Sequence, residues 1–457
     1  MLRRVLVANR GEIAVRVIRT CRRLGIETVL TVSDADADSL PARLADKVIR
    51  IGPAPASASY LSVDAVVGAA VAACVDAVHP GYGFLSENAR LARACTEASI
   101  VFIGPGPGVL EATGDKLAAR GHAVAAGLPV LPGGTGVSAT ELAGPIGYPV
   151  LVKAAGGGGG RGLRVVRDLA ELEHAVAVAS AEAAAAFGDP RVYLERYVER
   201  GRHVEVQLLG DGEHVIHLGD RDCSVQRRYQ KLIEEAPAPA LDDGLRELLR
   251  TAAVALGERL RYRGAGTVEF LVDAGPGSTG SAGGGEFYFL EVNARIQVEH
   301  PVTEAVTGID IVAEQLAIAE GRPLRLKQAD VTVAGHAIEV RINAEDPDAD
   351  FRPSPGTISR AVFPAGPGVR VDTHLQAGAT VPPYYDSLLA KVIAHAGDRD
   401  GARMALGDAL DRCAIDGVTT NLGLQRALLA DAEFAAGGVD TGYLARRLAS
   451  ARKGQDG

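Results

Sequence analysis

The chain is poor in cysteine, and the few it has are scattered. Its five, Cys21, Cys74, Cys95, Cys223 and Cys413, form no C-x-x-C pair and are odd in number, which argues against a disulfide framework and for a reducing compartment. No apolar run approaches the ~18 residues that a membrane-spanning helix needs. The VLVA stretch behind the basic start MLRR is far too short for a signal-peptide core. A soluble, cytoplasmic protein is expected. There is no excess of positive charge either: 48 Lys and Arg against 57 Asp and Glu leave a net −9. Such a balance gives no support to nucleic-acid or membrane-surface binding. Small anions stay open, because local basic clusters decide those.

What is present suits an ordinary globular chain. Apolar residues make up 47% and charged residues 23% of 457, enough for two to four domains at roughly 150 residues each. The first hundred residues alternate strand and helix: Val5–Ala8, AVRVIRTCRRLG closing at Gly25, ETVLTVS, SVDAVVGAAVAACV, DAVHPGYG, LSENARLARACTEA and IVFIGP. That alternation with short joins predicts a parallel, doubly wound sheet. From about 114 the pattern is mixed. It gives a helix in GDKLAARGHAVAAG, a strand–loop–strand from YPVLVKAA to GLRVVRD and an Ala-rich helix near 171–187. Strands follow in VYLERYV, RHVEVQLLGD, HVIHLGDRD and SVQRRYQKLIEE, then a helix over about 241–261. GTVEFLVD and EFYFLEVNARIQVEH flank a Gly/Ser loop; the last part reads as a helix near 310–320, further strands and two terminal helices. No internal repeat is visible.

The stretch KAAGGGGGRG, 153–162, carries five glycines in a row, a costly choice, since glycine loses the most backbone entropy on ordering. One reading is an idle hairpin tip. The other is a lid whose backbone N–H groups fold over phosphates, favoured by the flanking Lys153 and Arg161. It is neither a Walker A loop nor a dinucleotide fingerprint, because no G-K-[ST] follows and a strand, not a helix, comes next.

A second glycine-rich loop, Gly275–Gly285, sits between two acidic strands. Glu269 lies six residues before it and Glu291 six residues after it, so symmetric closure places the two opposite one another. Opposed like charges cost up to ~1 kcal/mol, and a divalent cation held by hard oxygens is a natural compensation. A solvated face with slipped register is the alternative. From Glu291 onward the sequence alternates: Glu291, Asn293, Arg295, Gln297 and Glu299 against Val292, Ala294, Ile296 and Val298. A continuing strand would put all five polar groups on one face, able to hold a metal at one end and an oxyanion near Arg295. Basic residues elsewhere could face this row. SVQRRYQK offers Arg227, Arg228 and Lys231, although such runs usually solvate a surface. HAIEVRINAED offers Arg341, although a lone arginine there is most often half of an ion pair. HPGYGFLSEN, 79–88, is a glycine turn at a strand's carboxyl end, where open α/β sheets bind ligands.

Together, GDK (114–116), KAAGGGGGRGLRVV, RHVEVQ, RDCSVQRRYQK, EEAPAP, GAGTVEF, EVNARIQVEHPVTE and GHAIEVRINAED resemble the biotin carboxylases, which are ATP-grasp enzymes. The likeness runs from Val5 to about 445. It implies an α/β and α+β chain: a pre-ATP-grasp, Rossmann-like domain over 1–113, an ATP-grasp domain over 114–330 with a mobile glycine-rich lid near 130–200, a C-terminal biotin carboxylase domain over 331–446, and a flexible tail over 447–457. It implies ATP phosphate contacts at Lys116 and Lys153 under Gly157, Gly158 and Gly159, an adenine hinge at Glu195 and Val198, and nucleotide contacts at His203 and Gln226. Glu269, Glu291 and Asn293 are the implied ligands of Mg²⁺ or Mn²⁺. Lys231, Arg295, Gln297 and Val298 resemble the bicarbonate site, Glu299 its base, Arg341 the group that stabilises the biotin enolate, and Tyr82 and Gly83 part of the biotin pocket. These residue types suit the reaction, which activates bicarbonate through a base, holds the anion in a planar guanidinium fork and transfers phosphoryl by positioning and charge.

Some positions depart from the family pattern. Tyr229 stands where QRRHQK usually has histidine, Arg196 replaces a common lysine, Ala294 a common threonine, and the 275–285 loop is long. The only methionines are Met1 and Met404, so there is no M-K-M biotinylation motif. The resemblance therefore implies that biotin arrives on a separate carrier protein, with a separate carboxyltransferase and a homodimeric enzyme, as the first half of an acetyl-CoA or other acyl-CoA carboxylase serving fatty acid synthesis. Two other readings share the lid and the metal ligands: an ATP-grasp ligase joining a carboxylate to an amine, and a non-catalytic nucleotide-binding partner.

Overall fold

In the computed structural model of the chain, which describes residues 1–135, 139–156, 163–273 and 286–455, short apolar strands and capped helices build the first layer. Arg4–Val7, Glu27–Ser33, Lys47–Gly52, Ala77–His79 and Val101–Phe102 pair in parallel in the order third, second, first, fourth, fifth. The edge strand Lys47–Gly52 is the one the alternation pattern omits; half of its residues are exposed, as suits an edge. Helix Gly11–Arg23 ends where Gly25 takes φ +72°, a left-handed closure glycine adopts freely. Ser62 and Asn88 cap the next two long helices through their side chains.

A small four-stranded antiparallel sheet follows: Gly133–Gly134, Val192–Arg196, Val150–Ala154 and Arg164–Val166 in spatial order. Helices Ala139–Ile146 and Leu169–Phe187 cover it, with Val150, Val152, Val166, Leu172, Ala179 and Leu194 forming a core of its own. This unit coincides with the stretch expected as a lid. The glycines 157–159 and Arg161 lie outside the described residues, as does the 275–285 loop.

The main body is one antiparallel sheet of eight strands. Their order is Phe287–Asn293, Arg263–Asp273, Gly201–Asp211, Val215–Arg227, Gln230–Ala236, His336–Asn343, Leu388–Ala396 and Val369–Thr373. Strands that the sequence assigns to two successive domains therefore share one ladder, joined where Gln230–Ala236 pairs with His336–Asn343. Pairing there removes two open edges.

Local expectations change in four places. HVIHLGDRD and SVQRRYQKLIEE do not divide near 223; one strand runs through to Arg227, and the chain reverses at Arg228 and Tyr229, which take φ +47° and +68°. Both central residues of a two-residue hairpin adopt such values, and without Asn or Gly there the turn is silent in the sequence. The strand from Phe287 stops at Asn293, and residues 294–299 run irregularly into helix His300–Thr307. Among the described residues, four helices rather than two close the chain, at Arg399–Asp411, Leu422–Leu429, Ala432–Ala436 and Tyr443–Gln455. The last extends into the expected tail, because YLARRLASARK consists largely of good helix formers.

Candidate functional site

A cavity of about 1230 Å³ opens between the small sheet, the eight-stranded sheet and the glycine turn after Ala77–His79. Lys116, Lys153, Glu195, Val198, His203, Gln226, Lys231, Glu269, Glu291, Asn293, Arg295, Gln297, Val298, Arg341, Tyr82 and Gly83 all line it. Glu299 does not; it is fully buried behind Lys231 and Arg341.

At the small-sheet end, Lys153 Nζ donates to Glu195 Oε2 at 2.9 Å and lies 5.5 Å from the centre of the Tyr193 ring. Arg120 approaches Glu195 at 3.4 Å. Burial disfavours the Lys153 charge, but Glu195 and Tyr193 outweigh it and raise its pKa. The lysine is thus a fixed cation on the cavity wall. Lys116 begins helix Lys116–Ala125, whose first turn is capped by Asp115, and its Nζ stands 3.8 Å from Glu291 Oε2.

The acidic hairpin closes in the expected register, with Glu269 opposite Glu291. It does so through a bulge: Phe270 pairs with Phe289, leaving Leu290 as the extra residue. Unbulged continuation from Phe270–Phe289 would put Glu269 opposite Leu290 and turn Glu291 to the other face. Lys231 Nζ donates to Glu269 Oε1 at 2.7 Å, and His203 Nε2 lies 3.3 Å from Glu269 Oε2. Burial pushes the Glu269 pKa up, yet Lys231 and His203 outweigh that and hold it at about 2. Burial by itself would lower His203, yet the nearby Glu269 outweighs it and raises the imidazole to about 9. Two carboxylates and the Asn293 carbonyl present the hard oxygens that suit Mg²⁺ or Mn²⁺.

Four of the five polar residues, Glu291, Asn293, Arg295 and Gln297, reach the cavity with Glu299 behind them, although the strand ends at Asn293. Arg295 Nη2 donates to Asn293 Oδ1 and Nη1 to Gln297 Oε1, each at 2.8 Å. Gln297 Nε2 donates to Glu269 Oε1 at 3.3 Å. Glu299 Oε1 accepts from Lys231 at 2.7 Å and Oε2 from Arg341 at 3.0 Å. Lys231 is the hub, for it also holds Glu205 at 2.7 Å. Burial opposes its charge, but these carboxylates raise its pKa well above the usual lysine value. The surface-run expectation fits Arg228, which pairs with exposed Asp350, but not Lys231 or Arg227, which also reaches Asp350 yet lies largely covered over the Phe351 ring. Arg341 is half of an ion pair twice over, with Glu299 and with Glu234, whose Oε1 lies 2.5 Å away. Tyr82 donates its hydroxyl to Glu12, and Asn9 holds the turn by donating to Pro80 O at 2.7 Å and Tyr82 O at 2.8 Å.

Sequence reasoning missed the residues behind this wall. Glu87 accepts from Arg295 Nε at 2.9 Å and from the Ala294 N–H at 2.9 Å, which ends the strand and aims the guanidinium. Arg221, wholly buried, binds Glu205 at 2.6 Å together with Gln207, Thr267 and Thr303. A signal existed: His203, Glu205 and Gln207 alternate along one strand as the 291–299 row does. Lys391, also wholly buried, donates to Val298 O at 2.8 Å and pairs with Glu12 at 3.1 Å, and no local pattern announces that.

Family models match most of the chain: "Biotin carboxylase, N-terminal domain" over 1–110, "Carbamoyl-phosphate synthase L chain, ATP binding domain" over 115–327 and "Biotin carboxylase C-terminal domain" over 339–446. Biotin carboxylase of Pseudomonas aeruginosa is 50% identical over 98% of this chain and 99% of its own. A pyruvate carboxylase subunit from Methanothermobacter thermautotrophicus is 47% identical over 97% of this chain and 90% of its own. Among solved structures, the biotin carboxylase domain dimer of Hydrogenobacter thermophilus 2-oxoglutarate carboxylase, in complex with MgADP, ADP and bicarbonate, superposes with a TM-score of 0.93. It is 44% identical and covers 98% of both chains.

Proposed function

The chain belongs to the biotin carboxylase family, and from that premise we propose how its cavity carboxylates biotin with ATP and bicarbonate. It is a ligase, and the roles below extend the family's chemistry to its own residues. Lys116 and Lys153 hold the ATP phosphates, with Glu195, Val198, His203 and Gln226 around the nucleoside. Glu269, Glu291 and Asn293 hold Mg²⁺ or Mn²⁺, which when bound offsets charge on the transferring phosphoryl group. Arg295 presents its planar fork to bicarbonate, supported by Gln297, Val298 and Lys231.

Glu299 takes the bicarbonate proton, and the bicarbonate oxygen then attacks the terminal phosphate of ATP, releasing ADP and giving carboxyphosphate. This species hydrolyses readily, so exclusion of water by the small four-stranded unit matters. It separates into CO₂ and phosphate. Phosphate removes the N1′ proton of biotin, and the enolate, held by Arg341 beside Tyr82 and Gly83, attacks CO₂. The observation that carries this reading is the position of Glu299, clamped between Lys231 at 2.7 Å and Arg341 at 3.0 Å. Removing one of these groups should act on bicarbonate and on biotin together.

The test is ADP release that requires bicarbonate and rises with free biotin. A Glu299→Gln enzyme should lose about 10²-fold or more of that activity. Full activity in that variant, or no response to biotin, overturns the assignment. We further infer a cytoplasmic homodimer that serves a biotin carrier and a carboxyltransferase on separate chains. An acyl-CoA acceptor feeding fatty acid synthesis is the leading choice, and pyruvate and 2-oxoglutarate are the acceptors that the relatives' names add. Pull-down from native cells, scored for biotinylated proteins and carboxyltransferases, decides among them.

A further inference from the structure

A second pair of opposed carboxylates lies behind the cavity wall. Glu234, on Gln230–Ala236, stands directly across the ladder from Glu339, on His336–Asn343. Opposed residues in an antiparallel pair have Cβ atoms about 4.5–5.5 Å apart. Unlike the Glu269–Glu291 pair, both are fully buried. Glu234 Oε1 accepts from Arg341 Nε at 2.5 Å, whereas Glu234 Oε2 and both Glu339 oxygens have no hydrogen-bond partner among the described residues.

The surrounding charges are already committed. Arg341 is shared with Glu299 at 3.0 Å. Lys391, on the neighbouring strand, pairs with Glu12 at 3.1 Å and Asp372 at 3.8 Å. Lys231 serves Glu205, Glu269 and Glu299. Helix His300–Thr307, packed on this face, offers His300, whose pKa burial drives well below the usual value, and Glu304, bound by Arg16 and Arg370. Cys223, on the strand before, is held as the thiol by burial. Two adjacent buried carboxylates whose one contacting cation, Arg341, is shared with a third carboxylate cost far less when one keeps its proton. Burial, with Glu299 adding, lifts Glu234 to about 7 even against Arg341. Burial also raises Glu339 well above the ordinary range against the pull of Lys391, with Glu234 adding to it.

We propose that Glu234 and Glu339 hold one proton between them at neutral pH and act as positioning residues for Arg341. The singly charged pair anchors the guanidinium without cancelling the charge that the enolate needs. Loss of the last proton at alkaline pH sets two charges besides Glu299 against Arg341, so turnover falls as pH rises through that step. The role of Arg341 rests on the function proposed above; the proton does not.

Infrared difference spectroscopy of the whole enzyme reads the proton directly. A buried protonated-carboxyl stretch should be present at neutral pH, vanish on alkaline titration and be missing from Glu339→Gln or Glu234→Gln. In Glu339→Gln the alkaline limb of kcat should move to higher pH, with the KM for MgATP within about twofold of wild type. Glu234→Gln, which removes the anchor, should lower kcat with biotin about tenfold, the equivalent of one charge-assisted hydrogen bond. Absence of the band at neutral pH, or its survival in both variants, overturns the shared proton. An unshifted alkaline limb overturns the positioning role. The band in an enzyme that carboxylates no biotin would leave the pair standing and sink the function instead.

Discussion

Glu87 shows how much of this site depends on single side chains outside the reacting groups. It fixes Arg295 at Nε and ends the strand at Ala294 with the same carboxylate. Glu87→Ala should therefore raise the KM for bicarbonate by about tenfold, the loss of one charge-assisted contact, and leave the KM for MgATP nearly unchanged. Steady-state kinetics with each substrate varied separately checks this, and equal changes in both constants would count against it. Of the site residues, those with motif neighbours were legible: Lys153, Glu269, Glu291 and the 291–299 row. Glu87, Glu12 and Lys391 were not, since their partners are 208, 379 and 93 positions away and a one-dimensional pattern carries no such pairing.

At the scale of elements, symmetric loop closure predicts the facing of Glu269 and Glu291 correctly, but the register depends on the bulge at Leu290. The row after Glu291 has the alternation of a strand and the conformation of a loop. Tertiary hydrogen bonds to Glu87 and the start of a helix at His300 override the period-two signal there. The turn at Arg228 and Tyr229 illustrates the reverse case, a tight hairpin without its usual residues. Tyr229 has φ +68° and is 44% exposed on the cavity rim. Tyr229→Gly should relieve about 1 kcal/mol of left-handed backbone cost and raise the melting temperature. It should also raise the KM for ATP through loss of the ring. A lower melting temperature would show that the ring contributes more packing than the turn costs.

The whole molecule is tied together where Lys391 reaches Glu12 at the start of helix Gly11–Arg23 and the Val298 carbonyl of the site loop. Lys391→Met would strand a buried Glu12, so unfolding should require about 3–5 kcal/mol less free energy. A denaturant midpoint within error of wild type would refute this role. Stability should also depend on pH in a defined way. Burial lowers His79 and His217 to about 4 and His374 to about 3, while the unfolded chain takes up these protons near pH ~6.5. Their contribution is complete above ~6.5 and is lost as pH falls toward 4. Glu269 and Asp372, held at about 2, extend the loss below ~4.5. His203, raised to about 9, acts oppositely, its contribution complete below ~6.5 and lost toward 9. Glu234 and Glu339, raised by burial, oppose the histidines, their contribution present below ~4.5 and lost as pH rises. In a Glu234→Gln/Glu339→Gln enzyme the urea midpoint should therefore fall as pH drops from ~7 to ~5, and a flat profile there would contradict the buried neutral histidines.

The doubly wound start, the glycine-flanked strands and the family are all written in the linear chain. They rest on local periodicity, capping residues and motifs whose members lie within a few turns of one another. Three other features exist only in the folded molecule. Strands of two expected domains share one sheet, Glu299 sits behind the cavity wall, and Glu234 faces Glu339. Each of these is a pairing between distant segments, set by which buried edges and charges find partners when the chain closes. That requirement is global, and no stretch of sequence states it alone.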